Sequence, residues 1–247
     1  MNDWLRDATH PLRTLDPSDP DDSDLAPLRD IVGSARVVAL GESMHRVHEF
    51  YSLRHRVIRY LVRELGFTAV VMESGFPEGL AVDDWVLGGP GSLDTVLSDG
   101  ITYHMGKCAE MRDQLTWMRT YNSSHSRPVR FYGMDIPDSS ASARPAILAG
   151  LSFLDTVDPS YAAVVRSSLL PLFSYLPTDR TGLAWAAPTL QAYMALPAAV
   201  RYEMTAKISE FVERVQAMRV VYSGQVDVVQ RCLATGRHAD AFLAAMA

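Results

Sequence analysis

Glu42 and His45 stand with two residues between them in the run Arg36-Val-Val-Ala-Leu-Gly-Glu-Ser-Met-His45. A carboxylate beside an imidazole favours the imidazolium and fixes the ring tautomer, so the far nitrogen can take a proton from water. Two further acids, Glu73 and Asp135, follow the apolar runs Phe67–Met72 and Pro128–Gly133. The expected chemistry is water activation by His45, with Glu42 and Glu73 as its partners. The bland alternative is that His45 caps a helix or satisfies a polar group in the core. Arg54 either binds an anion or oxyanion or forms a salt bridge with Glu73 or Glu49. His48 on the following helix, His104 beside Tyr103, and Ser43 next to Glu42 complete the supporting set.

Other chemistries fit less well. Glu42-x-x-His45 is not the His-Glu-x-x-His pattern of a zincin. A magnesium or manganese ion held by Glu42, His45, Glu73 and Asp135 stays open, because such ions prefer oxygen-rich sites. Ser43 and Ser74 lie in no Gly-x-Ser-x-Gly elbow, so an acyl-serine nucleophile is not expected. Neither Gly41-Glu-Ser nor Gly88-Gly-Pro-Gly91 matches a dinucleotide or P-loop fingerprint. The acidic run Asp16–Asp24 reads as a solvated connector whose last Asp or Ser caps a helix from Leu25 to Ile31.

The elements that must position these groups follow from periodicity. Val37–Leu40, Phe67–Met72 and Pro128–Gly133 are short apolar runs of the kind buried on both faces of a parallel sheet. Between the first two lies a helix over 49–64, with Phe50, Leu53, Val57, Leu61 and Leu65 on one stripe and Gly66 as its C-cap. Further helices span 78–87 and 110–121, the latter presenting Met111, Leu115 and Met118. Parallel strands with right-handed crossovers would bring Glu42, Glu73 and Asp135 to one edge, the edge where open α/β sheets bind ligands. From about Ser142, apolar residues recur at helical spacing (Ile147, Leu151, Leu154; Phe211, Val215, Met218), and prolines divide the run.

The fold expected is α/β: a short parallel sheet with flanking helices, followed by a mainly helical second half. Residues 1–140 carry the Glu/His site, and residues 141–247 form a helical cover or lid on the sheet's mouth within one integrated domain. The 247 residues are 48% hydrophobic and 21% charged, enough for a sizeable core. A net charge of −6 speaks against a nucleic-acid partner. Cys108 and Cys232 suit buried positions better than a disulfide framework. No signal peptide or apolar run of membrane-spanning length is visible, so a cytoplasmic protein with a small-molecule substrate and no membrane partner is expected.

Five blocks together resemble the erythromycin esterase family: Gly41–His45, Glu49–Arg54, Leu65–Glu73, Asp113–Arg119 with Tyr121-Asn122, and Phe131–Pro137. The similarity runs from about Val37 to Pro137. It implies an α/β fold with a helical second part and metal-independent hydrolysis of an ester or lactone in a bulky, macrolide-like molecule. That activity connects to antibiotic resistance or natural-product chemistry. On this resemblance His45 is the general base, Glu42 and Glu73 orient it or the water, Arg54 supports them, and Asp135 matches a family acid of unspecified role. The resemblance also implies a second histidine in an Ala-His-Asn-like segment beyond the helical part. Gly236-Arg-His-Ala-Asp240 does not resemble that segment, so a longer parent chain is expected. A chain lacking the second histidine would instead be a non-catalytic binding or biosynthetic accessory homologue; a divalent-metal hydrolase is the other alternative.

Overall fold

The computed structural model describes residues 9–177 and 186–247. Among them the chain is mostly helical, with one two-stranded parallel sheet. The helices needed here are α1 (Leu28–Val32), α2 (His48–Leu65), α3 (Phe76–Val86), α4 (Leu93–Asp99) and α5 (Ala109–Ser124). The helical half adds α6 (Arg144–Val157), α7 (Pro159–Ser168), α8 (Ala186–Met194), α9 (Ala198–Ala217) and α10 (Gln225–Met246); the strands are β1 (Ala69–Gly75) and β2 (Arg130–Asp135). The α/β class with a helical second half is therefore as expected.

Backbone contacts divide the residues into two units. The first draws on Met1–Val70, Val86–Gly88 and Cys108–Arg130, and the second on Val71–Trp85, Gly89–Lys107 and Phe131–Ala247.

In the first unit α2 packs on α5. Gly66 ends α2 in the left-handed region at φ 73°, as its C-cap role requires. On α5, Met111, Leu115 and Met118 are fully buried, in agreement with their spacing. Asn122 donates to the carbonyls of Val86 and Val129 (2.9 Å each) and accepts from the Val129 amide at 2.7 Å. It thereby saturates the backbone at the entry to β2.

The buried side of α2 differs from the stripe read in the sequence. Tyr51, Ser52, His55, Arg56, Ile58, Tyr60, Leu61 and Val62 face inward, whereas Phe50, Leu53, Val57 and Leu65 are half-buried. Partners draw the polar members in. Arg56 donates to Asp24 Oδ1 (2.5 Å) and Oδ2 (2.8 Å) and to the carbonyls of Thr14 and Asp21. Asp24 is thus an ion-pair partner of Arg56 and caps no helix. Helix Leu25–Ile31 is replaced by a 3-10 turn, Ser23–Leu25, and the short α1.

The expected first strand is not formed. Val37–Leu40 has no strand conformation and is solvent-facing, with Val37 82% exposed. An extended segment is stabilised by ladder bonds and covered faces; among the described residues Val37–Leu40 belongs to no sheet. The strand-to-strand argument that set Glu42 beside Glu73 and Asp135 fails with it.

In the second unit β1 alternates: Met72 and Ser74 are buried, Val71 and Glu73 exposed. Burial on both faces is therefore also corrected. Helix α3 lies against the sheet because two glycines let backbones approach. A Cβ at Gly133 would meet the Gly75 carbonyl oxygen at 2.3 Å, and one at Gly79 the Gly133 nitrogen at 2.7 Å. The helical half has its own core, including Ile147, Leu151, Leu154, Met204, Ile208, Phe211, Val215 and Leu233. Pro159 opens α7 and Pro197 precedes α9, as the proline punctuation requires. No described helix is long and apolar enough to cross a membrane.

Candidate active site

In the first unit the chain turns through 43–46 before entering α2. Arg46 adopts φ 65°, a left-handed conformation that a non-glycine residue holds only at a cost of roughly 1–3 kcal/mol. This kinked turn presents His45 with its Nδ1 2.6 Å from Glu42 Oε1. Arg54 Nη1 lies 3.5 Å from the other oxygen, Glu42 Oε2. Glu42 is mostly covered while His45 is exposed (side chains 16% and 56%). The carboxylate is held from two sides and the ring is open to a substrate.

The guanidinium of Arg54 sits 4.4 Å from the centroid of the Tyr51 ring, a cation–π contact. Burial raises the Tyr51 phenol above its ordinary range, and the charges of Arg54, Glu42 and Cys108 act on it as well. Glu110, in the first turn of α5, pairs with His48 Nδ1. His48 is raised above the ordinary histidine range, first by this hydrogen bond and then by the charges of Glu110 and Glu49. Glu110 is correspondingly lowered by His48. Burial raises the Cys108 thiol, and the Glu110 side chain adds to that. Cys108 is half-buried and Cys232 fully buried, with neither in a disulfide.

Tyr51 and Glu110 were not singled out in the sequence, and Cys108 was read there only as a buried residue. Tyr51 falls within the Glu49–Arg54 block and could have been flagged by position. Glu110 gives no local signal, because its partner lies 62 residues away.

The other predicted residues lie on the same turn or in the second unit. Ser43 is exposed on the turn. Glu73 lies inside β1 on its exposed face, two residues before the strand ends, and not just past its end. Asp135 is the last residue of β2 and accepts from the Tyr103 hydroxyl at 2.8 Å. His104 follows Tyr103; both have positive φ, 59° and 56°. The Tyr103 amide donates to Ser139 Oγ at 3.0 Å, and Asp138 and Ser139 form a second left-handed pair. Glu78 Oε1 accepts from the Asp138 amide at 2.6 Å. In the second unit, then, the turn at Tyr103–His104, after α4, and the turn at Asp138–Ser139, after β2, are both strained and are cross-linked to each other. Such strain is held at sites where surrounding structure fixes it. No three His, Cys, Asp or Glu side chains gather as metal ligands among the described residues.

A family model described as erythromycin esterase matches residues 62–246. The chain belongs to the erythromycin esterase family. The matched range contains Glu73 and Asp135 and starts beyond Glu42, His45 and Arg54. An erythromycin esterase type II from Escherichia coli is 31% identical over 185 residues, which is 74% of this chain and 43% of that protein. A Bacillus cereus protein of known crystal structure superimposes with a TM-score of 0.77 at 26% identity, covering 98% of this chain and 55% of the other. A mutant of the erythromycin esterase EreC in its open conformation shares the fold, with a TM-score of 0.70 at 19% identity over 94% of this chain and 55% of that one. The chain spans about half the length of these similar proteins.

Proposed function

We propose that this chain carries the water-activating site of an erythromycin esterase-like hydrolase, one that cleaves an ester or lactone in a bulky, macrolide-like small molecule taken from the cytoplasm. The observation that carries the reading is the Glu42–His45 contact of 2.6 Å on an exposed, kinked turn. With Nδ1 engaged by the carboxylate, Nε2 is the nitrogen left for water. Arg54, on the second oxygen of Glu42, restrains the carboxylate and so the ring. As water attacks the acyl carbon, His45 takes its proton and the imidazolium is stabilised by Glu42. The family match and the similarity to the E. coli type II esterase support the reaction class.

The test is His45→Gln assayed on macrolides and simple esters. Loss of the general base is expected to lower kcat/KM by about 10²–10⁴-fold. Hydrolysis continuing near the parent rate would overturn the assignment.

A further inference from the structure

Ester cleavage needs a proton delivered as well as one removed. We propose that His48, held by Glu110, is the general acid that protonates the departing alkoxide; this role rests on His45 being the base. His48 duplicates the arrangement of His45. Each ring has Nδ1 on a glutamate oxygen, leaving Nε2 for the substrate. Each ring is exposed (side chains 56% and 69%), while each glutamate is largely covered (16% and 19%). The two histidines are three residues apart, so their Cα atoms are separated by at most about 10 Å. His48 opens α2, directly after the Glu42–His45 turn, and α2 packs on α5, whose first turn carries Glu110, which sets the two dyads in one region of the first unit. The charged and titratable groups acting on His48 are Glu110 and Glu49; Cys108 acts on Glu110.

The division of labour balances. Water oxygen bonds to the acyl carbon and gives its proton to His45 Nε2. The bond from acyl carbon to alkoxide oxygen breaks, its electron pair stays on that oxygen, and His48 Nε2–H supplies the proton. One water is consumed, an acid and an alcohol form, and the two imidazoles return to their starting states through solvent. Glu110 acts through His48 as a positioning residue, favouring its protonated form.

The experiment compares ethyl butanoate with p-nitrophenyl butanoate. Nitrophenolate leaves as a stable anion and needs no general acid, whereas ethoxide does. His48→Gln is expected to lower the ethyl-to-nitrophenyl ratio of kcat/KM by at least about tenfold. In Glu110→Gln, the alkaline fall of the ethyl-ester pH profile moves to lower pH, because His48 loses the partner that holds its proton. His45→Gln lowers both substrates together. An unchanged ratio in His48→Gln, or an unmoved profile in Glu110→Gln, overturns the acid role and leaves the His45 reading standing. A His45→Gln variant as active as the parent overturns the base assignment and this role with it.

Discussion

Among individual residues, the outcome turns on which polar groups find partners. Arg56 is 1% exposed, and both of its terminal nitrogens donate to Asp24 and to a carbonyl, so its charge is compensated. His55, beside it on α2, is a different case. It is buried against Trp117 with ring centroids 5.8 Å apart, and neither nitrogen has a protein hydrogen-bond partner. Burial, reinforced by Arg59 and Arg54, pushes its pKa down to about 3. A histidine held neutral in this way stabilises the fold above its ordinary pKa, and that contribution is lost as pH falls toward 3. His55→Phe retains ring packing and has nothing to protonate. Its stability advantage over the parent should grow by roughly 1.4 kcal/mol per pH unit below about 6.5. Urea unfolding at pH 7, 6 and 5 checks this; a constant difference would show that His55 does not titrate between folded and unfolded states.

Between elements, close approach is what sets the sheet. Helix α3 and strands β1 and β2 come together only because positions 79 and 133 lack side chains. The contact that a Gly133 Cβ would make is with backbone oxygen of β1, which cannot rotate away. Gly133→Ala is therefore expected to cost about 2–3 kcal/mol, read as a lower denaturant midpoint; an unchanged midpoint would mean the strands part easily. Apart from Val37–Leu40 and the Leu25–Ile31 helix, the elements read from periodicity came out with correct type and shifted edges. Helices α2, α3 and α5 carry enough apolar repeats to be recognised. The inward face of α2 was misread because Arg56 and His55 are polar letters placed inside by Asp24 and Trp117, both distant in sequence.

Across the whole molecule, stability should be uneven. The helical core around Phe211, Ile147 and Leu154 is fully covered, whereas residues 34–47 are largely exposed and form no helix or strand. Native-state hydrogen exchange should show slow amides in α6, α9 and α10 and rapid exchange over 36–46. Slow exchange over Val37–Leu40 would indicate a partner for that segment in solution. The Glu42–His45 turn then lies in the more readily opened part of the first unit, where a substrate can reach the exposed His45 ring.

Sequence alone determined the α/β class, the helical second half, the Glu42–His45 pairing and the family, because these depend on local spacing and on blocks of neighbouring residues. Tertiary structure decided what depends on remote partners. Val37–Leu40 has the composition of a strand, yet composition supplies no ladder neighbour. His48 met Glu110 across 62 residues, and Asp24 met Arg56 across 32. Burial and pairing are properties of the folded surroundings, so no local pattern could announce them.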